Sequence, residues 1–305
     1  MLESRRLRHF LAVYDLGSIG RAAEKLLLTQ PALSKSIRLL EDNLGVSLFE
    51  RTTLGVVPTV FGNALALHAK AIAAQARHAE AQIANLRGIA SGRVSIGVGP
   101  SVAVTLMPLA TERIRELDLD VELSVTEGLV DEIIPALRRG EIDLAVGSWP
   151  KIVEPAFHTE VLATDRIMVF ARREHPLQGR RVEASELLEH RWALPPSSQW
   201  WLQQLDDQFF TRGLSAPKPA VVTNSASYLK RLLVDQNYLS FLPTHLVAAD
   251  GLSAIDVDFP VFTADVSLTY KERSLTDSAC ISVVELLRDA AARLSNPPEP
   301  FRAAA

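Results

Sequence analysis

Apolar residues recur in short helical bursts over the first sixty positions, and the period then changes twice. In the first burst Leu7, Phe10, Leu11 and Tyr14 share one face. Gly17-Ser18 closes it, and Ser18 is placed to cap a second, short helix. That helix carries Ala22-Ala23, small enough for another helix to cross closely. Thr29 then caps a third helix, with Pro31 suited to its first turn. There Leu33, Ile37, Leu40 and Leu44 predict a buried stripe, and Ser34, Lys35 and Arg38 face outward. The run from Phe49 to Thr59 reads as a short β-hairpin turning at Gly55.

From Thr59 to about Ile89 the pattern predicts one long helix without proline. Leu65, Ala69, Ile72, Ala76, Ala79, Ile83, Leu86 and Ala90 alternate spacings of four and three, an apolar seam of period near 3.5. A thin Ala-rich seam cannot bury itself, so the helix needs a partner helix. Dimerisation through Leu65, Ile72, Ile83 and Leu86 is one reading; an interdomain helix packed on its own chain is the other.

After Ser91-Gly92 the period changes again. Strand Arg93–Gly97, helix Met107–Leu117, strand Val121–Val125, helix Leu129–Arg139 and strand Ile142–Gly147 form one βαβ set. The layout repeats after His158: strand Ile167–Ala171, helix Ser198–Arg212, strand Ala220–Val222, helix Ser225–Asp235 and strand Tyr238–Phe241. Strand Val266–Tyr270 and helix Thr276–Leu294 complete the pattern, and the proline-bearing tail 296–305 is expected to be flexible. Such alternation predicts parallel sheets in an α/β fold.

Composition refines this picture in three ways. The chain has 305 residues, about twice one domain, so several domains are expected. Its single cysteine, Cys280, excludes an internal disulfide framework and a cysteine-based metal cluster. With neither a signal-peptide pattern at the N-terminus nor a run near the ~20 apolar residues of a membrane span, a cytoplasmic location and no membrane partner are expected. The net charge of −4 hides an asymmetry. Residues 1–90 hold 11 Lys+Arg against 7 Asp+Glu (+4), leaving 21 against 29 (−8) for residues 91–305. A basic front end on an acidic body is the pattern of a chain whose first domain meets a polyanion.

The first three helices match that charge. A short helix crosses beneath while the next presents small polar and basic groups, the design of a helix-turn-helix in a DNA major groove. Ser18, Thr29, Gln30, Pro31, Ser34, Lys35 and Arg38 are the candidate DNA-contacting residues, with Arg51 on the hairpin as a wing. The bland alternative is a three-helix domain with solvated charges. The run Phe10-Leu-Ala-Val, Gly17-Ser18, Arg21-Ala-Ala-Glu24, Leu26, Gln30-Pro-Ala-Leu-Ser34, Ile37, Leu40-Glu41, Leu44-Gly45, Leu48-Phe49, Arg51, Thr59 and Gly62 resembles the LysR-type transcriptional regulators. Ile19-Gly20 departs from that family, which often has an aromatic and a hydroxyl there.

The resemblance implies an α/β fold with an N-terminal all-α winged helix-turn-helix, a long dimerisation helix, and two Rossmann-like subdomains resembling periplasmic binding proteins. It sets expected boundaries at 1–61 for the DNA-binding domain, 62–90 for the linker helix and 91–305 for an effector-binding domain. Within the last, one subdomain takes about 91–163 and 267–295, the other about 164–266, joined by two crossing strands. Partners implied are double-stranded DNA, a small-molecule effector, a second copy of the chain (as dimer or tetramer) and RNA polymerase.

Effectors in such folds sit at the carboxyl ends of strands, between the halves. Gly97-Val-Gly99-Pro-Ser101 lacks a third glycine and carries a proline, so a dinucleotide site is not expected. Ser101 is instead the hydroxyl that commonly meets the effector in the resembling family. Family members often carry Ser or Thr where Val130 stands, and its loss argues against a small carboxylate ligand. Ser148 and Trp149, then Ser197, Ser198 and Trp201, then Asn224, complete the candidate lining. A tryptophan wall opposite hydroxyls suits a ring, either an aromatic acid or a sugar; core packing is the alternative for each tryptophan.

No enzyme constellation is present. HExxH, a complete GxSxG and a Walker loop are absent, the seven histidines lack ligand spacing, and Asp131-Glu132 and Asp206-Asp207 point apart. No catalytic residue, metal or cofactor is expected. The competing class is a solute-binding module whose N-terminal domain makes protein contacts only.

Overall fold

The computed structural model describes residues 5–52, 55–86, 92–150, 152, 154–196, 202–247, 251–260 and 262–295. Two compact units divide the chain: one holds residues 1–90 and 136–142, the other 91–135 and 143–305.

In the first unit α1 (Arg5–Leu16) buries Phe10 and Val13. Helix α2 (Ile19–Lys25) begins at Ser18, whose hydroxyl accepts Arg21 N–H at 3.4 Å, and buries Ala22 and Ala23. Helix α3 (Gln30–Leu44) is capped by Thr29 Oγ1, which accepts Ala32 N–H at 3.4 Å, and stops at Gly45, left-handed with φ 68°. Leu33 and Ile37 are fully buried and Leu40 half-buried. The expected stripe fails at Leu44, 47% exposed, because the helix ends there and its last turn has left the core.

The hairpin forms as β1 (Phe49–Thr52) and β2 (Gly55–Pro58), antiparallel. Its turn end is anchored by Val56 N–H donating to Gly17 O at 3.0 Å. Gly55, at φ +139°, has no room for a side chain: a Cβ would lie 2.4 Å from Gly17 O. Helix α4 (Val60–Leu86) follows. Ala66 and Ala69 enter the core with Phe10, Leu33 and Leu48, and Leu65 packs against them. The predicted seam is therefore corrected over its first turns, where Leu65 and Ala69 serve their own domain. Ile72 and Ile83, about half exposed, remain apolar on the helix surface. The side chain of Leu86 lies outside the described residues.

From Gly92 the chain runs through β3 (Gly92–Val98), α5 (Pro100–Val104), α6 (Leu106–Glu116), β4 (Val121–Glu127), α7 (Val130–Arg139) and β5 (Leu144–Gly147). A 15-residue strand, β6 (His158–Arg172), leads out, followed by β7 (Arg181–Val182), α8 (Ala184–Leu187), β8 (Arg191–Leu194) and α9 (Leu202–Phe210). Then come β9 (Pro219–Val222), α10 (Ala226–Asp235), β10 (Tyr238–Pro243), α11 (Thr244–Val247), β11 (Leu252–Ala254) and β12 (Asp256–Val257). Strand β13 (Phe262–Tyr270) returns the chain, and α12 (Ser278–Ser295) closes it.

The main sheet runs β4-β3-β5-β13-β6-β10-β8-β9, with β11 also on β6. Pairs β4-β3-β5 and β10-β8-β9 are parallel. Between them β6 and β13 pair antiparallel from Ile167↔Phe262 to His158↔Tyr270, with a register shift at Val266/Ser267. Two parallel α/β halves are thus joined by two crossing strands. The first half closes on Ile96, Leu106, Leu144 and, from α12, Leu287. The second buries Trp192, Phe209 and Phe241, with Trp192 Nε1–H donating to Leu187 O at 2.9 Å. Strand β6 exceeds the predicted 167–171 because its polar first half, His158–Thr164, is held by β13 and by Arg288, which donates to Glu160 at 2.8 and 3.1 Å. The start of the expected helix 198–212 lies outside the described residues.

Candidate functional site

On the first unit, Thr29, Gln30, Pro31, Lys35 and Arg38 are all exposed on the first turns of α3, and Ser34 is half-buried beside them. Ser18 is half-buried at the start of α2, and Arg51 is exposed on β1. Two shallow concavities flank Lys35. One gathers Pro31, Ser34, Lys35 and Arg38 with Asp42; the other adds Arg5 and Arg6 from the first turn of α1. Sequence reasoning missed Arg5 and Arg6, although the basic run Arg5-Arg6-Leu7-Arg8 was a usable signal. Their place is set by a tie between α1 and α3: His9 Nδ1 and Ser36 Oγ are 2.7 Å apart. Burial, with Arg5 and Arg8 nearby, lowers the His9 pKa, which favours the neutral ring as a structural hydrogen-bonder. The surface that results is cationic along the exposed side of α3. It is suited to a phosphate backbone with base edges between.

Glu41 is a second residue sequence reasoning did not single out for a role. Its Oε1 accepts Leu48 N–H at 2.7 Å and Phe49 N–H at 3.3 Å, so the carboxylate on α3 fixes where the hairpin begins.

The second unit carries a cleft of about 60 Å³ at the carboxyl ends of its strands. Of the predicted residues Ser101, Val130, Ser148, Trp149 and Asn224 all line it, drawn from the first turns of α5 and α7 and from the loops after β5 and β9. Ser197, Ser198 and Trp201 lie outside the described residues. Thr223, Leu229 and Leu242 line it too and were not predicted. Backbone bonds lace the loops together: Gly99 N–H donates to Val146 O at 2.9 Å and Gly128 N–H to Val98 O at 3.0 Å.

Trp149 is only 5% exposed and lies flat over Gly147, where a Cβ would come within 2.1 Å of its Cζ3. Its Nε1–H is buried without an acceptor among the described residues. It is wall and core at once, which the sequence posed as alternatives. Ser148 Oγ donates to Asp265 O at 3.0 Å, tying the wall to β13. Thr223 Oγ1 accepts Ser225 N–H at 3.1 Å, and Ser225 Oγ caps α10 by accepting Tyr228 N–H at 3.3 Å.

Behind the cleft a buried carboxylate, Asp165 on β6, receives Thr244 Oγ1–H at 2.6 Å and Thr244 N–H at 3.1 Å. His245 Nδ1 lies 3.1 Å from its Oδ2, while Nε2 reaches Leu294 O on α12 at 3.2 Å. The hydrogen bond that the His245 ring donates to Asp165 raises the His245 pKa, partly opposed by burial. The pair joins residues 80 positions apart at the start of α11, a contact no local pattern announces. Elsewhere burial pushes the Cys280 thiol above its usual pKa, so it is poorly suited to nucleophilic chemistry. Among the described residues no three His, Cys, Asp or Glu side chains form a metal-holding group, and no helix is long and apolar enough to cross a membrane.

Comparison with known proteins converges on one family. Residues 4–63 match the model of the bacterial regulatory helix-turn-helix protein, lysR family, and residues 87–292 that of the LysR substrate binding domain. The HTH-type transcriptional regulator YdcI of Escherichia coli K12 is 31% identical over 84% of this chain and 85% of its own length. PcaQ of Agrobacterium fabrum, also an HTH-type transcriptional regulator, is 28% identical over 96% of each chain. The fold agrees with that of CbnR, a LysR family transcriptional regulator: TM-score 0.71 at 20% identity, covering 94% of this chain and 98% of that one. CbnR in complex with its target DNA aligns at TM-score 0.69, 21% identity, and 94% and 99% coverage. The chain belongs to the LysR family: it is a DNA-binding transcriptional regulator with an effector-binding α/β domain, and not an enzyme.

Proposed function

We propose that the protein acts in the cytoplasm as a dimer, or as a pair of dimers, whose operator affinity or geometry responds to a small ring-shaped effector, an aromatic acid or a sugar. In this reading residues 1–61 hold the DNA reader, 62–90 the dimer helix and 91–305 the effector domain. Thr29, Gln30, Pro31, Ser34, Lys35 and Arg38 meet the major groove, Ser18 and Arg51 the flanking backbone. Ile72 and Ile83, apolar and half exposed on α4, support pairing of that helix with its copy, continued by Leu86, while Leu65 adds only the part of its side chain that its own core leaves open. Two paired readers suit a two-fold operator. RNA polymerase is the partner through which such a regulator acts on transcription.

One observation carries the ligand response: a single cleft takes its lining from both α/β halves, on either side of the crossing strands. A molecule bound there touches both halves, so it has different affinities for open and closed spacings and shifts their populations. The test is footprinting on a selected duplex with and without a ligand that raises the melting temperature. The expected result is a changed footprint or affinity; a stabilising ligand that changes neither refutes the coupling.

A further inference from the structure

We propose that Asp165, His245 and the carbonyl of Leu294 form a proton-dependent clamp between the two α/β halves, closed while the imidazole holds its second proton and released when that proton leaves. The three groups lie on different parts of the fold. Asp165 stands where β6 passes from one half to the other: Ala163 packs on the core of the first half, and Ile167 is buried in that of the second. His245 belongs to the second half, since Leu246 and Val247 beside it on α11 enter the core there. Leu294 lies near the end of α12 and packs on the first half. The ring of His245 therefore spans the boundary.

Both of its nitrogens face acceptors. Nδ1 is 3.1 Å from Asp165 Oδ2, and Nε2 is 3.2 Å from Leu294 O. A neutral imidazole has one N–H, so it bonds one of these and turns a lone pair on the other. With the proton on Nδ1, the tie to α12 is lost. With it on Nε2, a lone pair faces the carboxylate. Both contacts hold only when the ring is doubly protonated, or when the shared proton sits on the Asp165 side of the same bond. Asp165 is fixed in place, because its Oδ1 accepts Thr244 Oγ1–H at 2.6 Å, Arg166 N–H at 2.7 Å and Thr244 N–H at 3.1 Å.

The elements around the ring bring few other charges. Helix α5, across a small cavity of about 20 Å³, has no titratable side chain, and α11 has none besides His245. Strand β13 brings Asp265, whose Oδ1 accepts Thr164 Oγ1–H at 2.8 Å. Helix α10 brings Lys230, whose Nζ donates to Leu246 O at 3.3 Å, and α12 brings Arg293, paired with Asp289 at 3.4 Å. Arg166 follows Asp165 on β6. Among the described residues Asp165 is the charge that meets the ring, and it holds the second proton above the ordinary histidine range against the effect of burial.

The clamp borders the ligand cleft on both sides of the boundary. Ser101 lines the small cavity and the cleft alike, and Leu246, next to His245, lines the cleft from the second half. On the reading of that cleft as the effector site, release of the clamp changes the spacing that a bound molecule bridges.

The experiment measures the spacing of the halves without ligand, so its failure leaves the effector reading untouched. Cysteines for spin labels are placed in the full-length protein at two exposed positions, Glu112→Cys on α6 and Lys218→Cys before β9, one in each half. The native Cys280 is buried, so the labels go to the new pair. Labelled chains are diluted into unlabelled protein, and the distance distribution within one chain is read by pulsed electron resonance from about pH 6 to 9. One spacing is expected at the acid end, with a second population growing at least about tenfold through a one-proton transition centred above 6.5. His245→Gln, which does not titrate, is expected to abolish the transition while circular dichroism shows the fold retained. Asp165→Asn is expected to lower its midpoint. An unchanging distribution in the labelled protein with His245 intact overturns the clamp whatever the variants do. A transition that persists in His245→Gln, where the other histidines are all retained, overturns it as well, and an unmoved midpoint in Asp165→Asn overturns the part given to the carboxylate.

Discussion

Replacing Gly147 with alanine puts the ligand cleft to a steric test. The new Cβ would stand 2.1 Å from Trp149 Cζ3 and 2.5 Å from Cε3. Reaching 3.4 Å, the near edge of ordinary contact, requires the indole to retreat by about 1.3 Å. The ring is 5% exposed and stacked against β5, so it cannot slide aside within the packed wall. It must change rotamer or push the loop after β5 outward. Overpacking of this kind costs roughly 1–3 kcal/mol. For a domain of this size that predicts a melting-temperature fall of about 2–12 °C. The same displacement takes the indole from the position it presents to a ligand, so effector affinity falls at least about tenfold. Scanning calorimetry gives the first number and titration of the tryptophan fluorescence the second, with retained DNA binding as the check on folding. A variant that melts like wild type and binds effector unchanged would show that Trp149 does not depend on the missing side chain and does not wall the site.

Two further substitutions probe other parts of the chain. Gly20 lies inside α2 with space for a Cβ, whose nearest neighbour would be Ser18 Oγ at 3.9 Å; Gly20→Ala should therefore stabilise the DNA-binding unit by up to about 1 kcal/mol, read as a raised denaturation midpoint, and a lowered midpoint refutes the open geometry. His245 has a pKa raised above its ordinary 6.5 by Asp165. Its contribution to stability is therefore fully present below pH 6.5 and is lost as pH rises through the raised value. His245→Gln should flatten that alkaline loss in the melting temperature of the effector domain, and an unchanged pH slope would disconnect the pair from stability.

The residues differ in how legible they were. The helix-turn-helix could be read because each of its signals is local: Ser18 and Thr29 cap within three residues, Pro31 sits in a first turn, and Leu33 and Ile37 keep helical spacing. Leu44 misled because periodicity does not report where the core ends. The α4 seam misled in part for a related reason, since Leu65 and Ala69 fit a partner helix and their own core equally well. Ser101, Ser148, Trp149 and Asn224 were placed together because all follow strands of parallel halves, where loops share one edge of the sheet. Asp165 and His245 were invisible, being joined only by the crossing of β6 with the start of α11. The length of β6 was hidden by its polar half, which owes its order to β13 and Arg288.

DNA recognition by α3 is tested most directly by selecting a binding site from a random duplex library and measuring its affinity across a salt series for wild type, Lys35→Ala and Arg38→Ala. Wild type should bind with a steep inverse dependence on salt. Lys35→Ala, as a phosphate contact, should weaken binding to all sequences alike and reduce the logarithmic salt slope by about one. Arg38→Ala should cost roughly 1–3 kcal/mol on the selected site and relax the base preference at one position. A flat salt response, or variants that bind the selected site as tightly and selectively as wild type, would contradict the assignment of α3 as the reading helix.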